Sequence, residues 1–251
     1  MWFKRDLRLR DNAALESAIR KTDSVEGKGL LLIYVLEPSL IADQHYDLRH
    51  WRFVLESLTF LNKQLNLLKP LLKSEGSEGT DRCIHIFFRE VSEVFTALGQ
   101  LYHIDQVFSH QEPGLRITYD RDLNFADYCL RPNITWHEFS KNGIIRKLKN
   151  KKGRFSRWTK KMNSPQRHPD FEKFTASHLD EKWASVNRGD KLPASWKERD
   201  QNFQQGGEDI AFRYMDSFLK LGYTVTRSLY PNLWKVVRDA ADSRLIWPWV
   251  A

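Results

Sequence analysis

The run GLLLIYVLEP, Gly29 to Pro38, holds seven consecutive apolar or aromatic residues between a glycine and a Glu-Pro pair. A strand wetted on one face alternates apolar with polar residues; a run without alternation belongs to a parallel sheet covered on both faces. Three more short segments rich in β-branched or aromatic residues follow: CIHIFF (Cys83 to Phe88), IDQVFSH (Ile104 to His110) and ITWHEF (Ile134 to Phe139). Helical patterns separate them, and that alternation predicts an α/β architecture.

The clearest helix carries Trp51, Val54, Leu55, Leu58, Leu61, Leu65 and Leu68 on one stripe and ends near Pro70. Such three-and-four spacing is that of a face packed on a sheet. Val91 to Tyr102 and Thr118 to Leu130 read as two further covers, the first with Val91, Val94, Phe95, Leu98 and Leu101 inward, the second with Tyr119, Phe125 and Tyr128. Between strands and helices, Ser74 to Asp81 has the composition of a mobile loop. Cys83 and Cys129 are too few for a disulfide framework and lack zinc-ligand spacing, so both are expected in the core.

After Phe139 the periodicity weakens. Residues 140–202 read as a long connector, anchored by scattered Trp158, Trp183 and Trp196, and a helix starting in Phe203 to Tyr223 opens a second unit with Phe212, Met215, Phe218 and Leu219 inward. The net charge of +8 is concentrated here, because Lys141 to Lys161 contains ten Lys and Arg and no acid. Lys149, Lys151, Lys152, Arg154 and Arg157 are the candidate nucleic-acid contacts of this segment. Its Phe155 and Trp158 are able either to stack on bases or to pin a basic loop to the core. The longest apolar run is far shorter than a bilayer requires and nothing resembles a signal peptide, so a cytoplasmic protein without a membrane partner is expected.

At the start of the chain, Trp2 and Phe3 read as the end of a buried strand, and Lys4, Arg5, Arg8 and Arg10 as the loop at its carboxyl end. Asp11 and Asn12 then look like an N-cap for a helix over Ala13 to Ile19. Ligands of open α/β sheets sit at the carboxyl ends of the strands. WFKRDLRLRDNAAL (Trp2 to Leu15) resembles the opening signature of the photolyase/cryptochrome family. YVLEPSL (Tyr34 to Leu40), HYDLRHWRFVLESL (His45 to Leu58) and VFSHQEPG (Val107 to Gly114) resemble successive blocks of the same family in order. Phe203 to Tyr223, with paired Gly206 and Gly207, resembles the entry to its helical FAD-binding domain.

The resemblance implies three parts. They are a Rossmann-like antenna domain over 1–139, an interdomain connector over 140–202, and the start of an all-α FAD-binding domain over 203–251. It implies FAD as cofactor, an antenna chromophore that is a folate, a flavin or a deazaflavin, and damaged DNA as partner of a monomeric protein. In the family, the excited flavin either splits pyrimidine dimers flipped out of DNA or serves light sensing. Tyr223 matches a position near the FAD diphosphate. His45 approximately matches one lining the antenna pocket of folate-binding members. Arg8, Asp11 and Asn12 are signature positions to which the residues themselves assign a structural role, fixing the loop.

From Tyr230 to Ala251 the chain departs from the family pattern. Back-translated and read from the third base, this tail can be written SKPVESCPGCSRFSPYLALG, which resembles the missing flavin-domain motif. A frameshift just after Leu229 is therefore expected, with a short first strand or mis-called start at Met1. The chain as it stands is then expected to retain none of these cofactors and to have no repair activity. The alternative of a different class is a stand-alone α/β nucleotide- or antenna-binding module.

Overall fold

The computed structural model describes residues 1–68, 83–141, 143–144, 146, 150–177, 179 and 192–229, with side chains in the last helix at 208–217 and 219. The expected loop at Ser74 to Asp81, Trp183 and the divergent tail lie outside the described residues.

Among the described residues five short strands pair in parallel, three in one sheet and two in another. β1 (Trp2–Phe3) pairs with β2 (Leu32–Val35) in the register Trp2 to Ile33, and β2 pairs with β3 (Ile84–Phe87) in the register Ile33 to His85. β4 (Gln106–His110) pairs with β5 (Thr135–Phe139), Val107 opposite Trp136. The β4–β5 pair lies against β1 without a registered ladder between them. The lateral sequence is β3-β2-β1-β4-β5, that of a doubly wound sheet.

Successive residues of a strand point to opposite faces, and here both faces are covered. Phe3, Leu32 and Leu36 pack with Leu15 and Ile19 of α1 (Ala13–Asp23) and with Leu58, Leu61 and Leu65 of α3 (Leu48–Leu67); the single turn of α2 (Pro38–Ile41) precedes α3. Trp2, Ile33 and Val35 pack on the other side with Val91, Val94, Phe95 and Leu98 of α4 (Val91–Gly99) and Phe125 and Cys129 of α5 (Arg116–Leu130). That two-sided burial is why the Gly29 run shows no alternation. Each such side chain, moved fully out of water, stabilises the fold by about 1.5–3 kcal/mol.

Some expectations shift at element ends. α4 stops at Gly99, so Leu101 lies beyond it and is 46% exposed. α1 runs on to Asp23 rather than Ile19. Cys129 is buried as expected, but Cys83 is half-buried, just ahead of β3 at the sheet's end.

The connector adds a helix that the sequence pattern did not announce, α6 (Arg154–Met162), and two 3₁₀ turns at Phe171–Lys173 and Ala194–Trp196. Trp196 is 8% exposed and stacks on Trp51 of α3 with ring centres 5.7 Å apart, one of the expected aromatic anchors. α7 (Glu208–Leu229) follows. Its entry is tight: the Gly206 N–H donates to Glu56 Oε2 at 2.6 Å, and a Cβ on Gly206 would stand 2.3 Å from the Phe53 carbonyl oxygen. Phe212, Met215 and Leu219 are half-buried; the side chain of Phe218 is outside the described residues.

Candidate functional site: a charged cleft at the carboxyl ends of the strands

Because all strands run the same way, the residues that follow them converge at one edge. Lys4 and Arg5 follow β1, Glu37 lies two residues after β2, Glu112 two residues after β4, and α5 brings Arg121 and Asp122. Apart from the exposed Arg5, they form a buried charge network. Arg121 donates to Glu37 at 3.0 Å, to Glu112 at 2.7 Å and to Asp122 at 2.9 Å. Lys4 donates to Asp122 at 2.8 Å with its ammonium 4.4 Å from the Trp2 ring centre, and Arg146 of the connector reaches Asp122 at 2.8 Å.

Removing charges from water is expensive, and only dense pairing keeps them ionised. Burial works against the charge on Arg121, yet Glu112, Glu37 and Asp122 together hold its pKa above the ordinary value. Burial likewise opposes the Asp122 carboxylate, but Lys4 and Arg121 pull its pKa below the usual range. Glu37 comes out differently. Burial outweighs Arg121 and lifts its pKa to about 7, and its second oxygen, Oε2, is buried with no hydrogen-bond partner among the described residues. A carboxyl satisfied on one oxygen only is the least settled member of the network.

Beside this floor opens a cavity of about 450 Å³, lined by Lys4, Arg5, Glu112 and Arg121 below and by Tyr46, His50, Trp51 and Phe203 at the walls. Tyr46 stacks on Trp51 with ring centres 5.0 Å apart, and the Arg5 guanidinium sits 5.9 Å from the Tyr46 ring. Aromatic walls with a few convergent charged groups suit a planar heteroaromatic ligand with a polar edge. Among the described residues no cluster of His, Cys, Asp and Glu fits a metal ion. The arrangement offers a ring-sized apolar wall beside a charged floor.

A second buried cluster lies across the β1 loop. Asp6 is 3.4 Å from His110 Nδ1, 3.4 Å from Arg8 and 3.8 Å from Lys141. Burial drives the His110 pKa down to about 4 in spite of Asp6. Asn12 is the N-cap of α1, accepting from the Leu15 N–H at 2.9 Å and donating to the Arg8 carbonyl. Asp11, at φ 48°, instead accepts from the Arg167 N–H of the connector at 2.8 Å. The signature thus fixes the loop and ties the connector to it.

The family model described as DNA photolyase matches residues 1–169. The chain belongs to the photolyase/cryptochrome family. Among curated relatives it is 39% identical over 80 residues to Cryptochrome-2 of Gallus gallus, covering 32% of this chain and 13% of that protein. It is 35% identical over 71 residues to Cryptochrome-1 of Erithacus rubecula, covering 28% and 11%. Among solved photolyase/cryptochrome structures, a Synechocystis cryptochrome superposes with a TM-score of 0.61 at 15% identity, over 88% of this chain and 46% of that one. The Agrobacterium tumefaciens class III photolyase gives 0.59 at 19%, over 87% and 44%. An archaeal photolyase from Sulfolobus tokodaii, solved with two FAD molecules, gives 0.57 at 15%, over 85% and 45%. The matches thus cover under half the length of these solved structures and far less of the curated relatives. At these identities the superpositions establish the photolyase/cryptochrome α/β fold.

The residues named from sequence are distributed unevenly over this frame. His45 is exposed, with Nδ1 2.7 Å from Asp43 Oδ1, one residue before the cavity-lining Tyr46. Tyr223 lies on α7, its side chain outside the described residues, and Lys149 is outside them altogether. Lys151, Lys152, Arg154 and Arg157 gather around the start of α6, away from the cleft. Glu37, Glu112, Arg121 and Asp122 were missed. Two signals could have found three of them: Glu37 and Glu112 each stand two residues beyond a strand end, and Asp122 interrupts the inward face of α5 between Tyr119 and Phe125; Arg121 carries no such signal.

Proposed function

We propose that this chain carries the antenna half of a light-driven photolyase/cryptochrome flavoprotein, and that the 450 Å³ cleft holds a planar chromophore, a folate, flavin or deazaflavin. The observation that carries the reading is the pairing of the Tyr46–Trp51 stack with the Arg5–Glu112–Arg121 floor in one cavity at the strands' carboxyl ends. The aromatic stack would take the face of such a ring system, and the charged floor its polar edge. His45 belongs to this proposal as a rim residue, held by Asp43 beside Tyr46.

FAD, when bound in the helical unit that α7 opens, supplies the photochemistry, and Tyr223 is proposed to lie near its diphosphate. Damaged DNA is the proposed partner, and a monomer the proposed state. Light-dependent loss of pyrimidine dimers from an oligonucleotide separates repair from blue-light sensing.

The cleft is tested by titrating the purified chain with methenyltetrahydrofolate, FMN and a deazaflavin while following ligand fluorescence. One of the three is expected to bind with a shifted spectrum, and Tyr46→Ala or Arg121→Met to abolish the shift. A folded chain that binds none of them overturns the reading.

A further inference from the structure

The basic segment was ambiguous as sequence; the structure sorts its cations. Lys141 is drawn to Asp6 and Arg146 to Asp122 and Glu138, so both are absorbed into the antenna fold. Arg157 donates to the Lys152 carbonyl at 2.9 Å and closes the turn before α6. Lys151, Lys152, Arg154 and Lys160 are exposed, and none has a carboxylate at ion-pair distance among the described residues. Four unneutralised cations on about three turns of chain form a strongly positive surface.

The two aromatics of the segment also divide. Met162 is 6% exposed and Trp158 half-buried, and Trp158 lies so close to Gly143 that a Cβ there would stand 2.8 Å from its ring. Through these two side chains, and with Lys160 left exposed, α6 is seated on the domain by its carboxyl half. Its amino half projects, and Phe155 there is 77% exposed, stacked on Trp158 with ring centres 6.0 Å apart. Trp158 answers to the anchoring role; Phe155 does not. A phenyl ring held in water by its neighbour contributes nothing to the core but offers one open π face beside the free cations.

We propose that the projecting face of α6 binds single-stranded polynucleotide, with Lys151, Lys152, Arg154 and Lys160 on phosphates and Phe155 as the platform for an unpaired base. Charge and geometry select this partner. Lys and Arg that neutralise a phosphodiester backbone release its condensed counterions into solution, which raises affinity, and bases stack on exposed aromatics with little regard to sequence. A duplex keeps its base faces covered and reaches only the cations. A bilayer surface needs an apolar helical face to bury, and on α6 that face, Trp158 and Met162, is already turned against the domain. This surface lies apart from the cleft and needs neither chromophore, flavin nor light.

The test is fluorescence anisotropy of the full chain with a short labelled oligothymidylate, the same length of duplex, and vesicles containing phosphatidylserine, from about 50 to 200 mM salt. Affinity for the single strand is expected to fall steeply with salt. Replacing the four cations together by Gln is expected to weaken it at least tenfold at the low-salt end and to flatten the salt dependence by roughly 0.7 per lost phosphate contact. Phe155→Ala is expected to weaken single-strand binding about fivefold or more, to leave the salt slope and duplex binding unchanged, and Phe155→Trp to restore it. All five side chains are exposed, so thermal unfolding should be that of the parent. Unchanged affinity in either variant, equal loss of duplex and single strand in Phe155→Ala, or preferential binding to vesicles overturns the proposal.

Discussion

The ammonium of Lys4, one residue past β1, donates to the Asp122 carboxylate on α5 at 2.8 Å, with the two side chains 2% and 4% exposed. This pair joins the first strand end to a helix 118 residues later in the chain. It also sets the charge balance at the floor of the cleft. Burial lowers the Lys4 pKa, and Arg121 adds to that, while Asp122 and Glu138 oppose it. Asp122→Ala leaves Lys4 with Glu138 at 3.7 Å as its remaining carboxylate among the described residues. The expected loss is about 3–5 kcal/mol by urea denaturation. Lys4→Met combined with Asp122→Leu should lose much less than the sum of the single changes, because no charge is then stranded; strict additivity would show that the pair is not coupled.

Two buried groups give opposite pH dependences. Glu37, with a folded pKa of about 7 against an ordinary 4.5, stays protonated in the fold where the unfolded chain has already released its proton. Its contribution to stability therefore falls as pH rises from about 4.5 to 7, by up to about 3 kcal/mol. Glu37→Gln should flatten a plot of melting temperature against pH in that window. His110, with a folded pKa of about 4 against 6.5, resists a proton that the unfolded chain accepts. Its contribution is full above pH 6.5 and is lost as pH falls toward 4, so His110→Asn should gain relative stability in acid. The same slopes in parent and variants would refute these assignments.

Gly206 is required for contact rather than for its backbone angle. A Cβ there meets the Phe53 carbonyl oxygen at 2.3 Å and Ser57 Oγ at 2.6 Å, both on α3. Gly206→Ala should loosen the α3–α7 seam at a loss of about 1–3 kcal/mol. Faster amide exchange in α7 with α1 unaffected is the expected signature.

Trp196→Ala removes the outer ring of the Tyr46–Trp51–Trp196 stack. The expected loss is about 3–5 kcal/mol for a buried aromatic. Limited proteolysis should then cut the connector near residues 192–203 faster than in the parent. An unchanged cleavage rate would mean that Trp196 does not anchor it.

Local periodicity reports local burial, so the amino-acid sequence by itself determined the alternation of strands and main helices up to Phe139 and the two-sided cover of the sheet, though not α6 in the connector. The unbroken Gly29 run is buried on both faces, and Leu58, Leu61 and Leu65 of the Trp51 stripe pack in the core beside the sheet, whereas Trp51 itself stacks between Tyr46 and Trp196. The ordered blocks beginning at Trp2 determined the family for the same reason: they preserve the sequence of strand ends and caps. Which charges meet was decided only in three dimensions. Lys4 with Asp122 and Arg121 with Glu37 are pairings between distant segments, and any Lys or Arg could have served any carboxylate. Ten basic residues between Lys141 and Lys161 looked alike as a string. Folding sorts them by what each can reach: Lys141 and Arg146 meet carboxylates from other elements, while Lys151, Lys152, Arg154 and Lys160 stay exposed on the segment that carries Phe155.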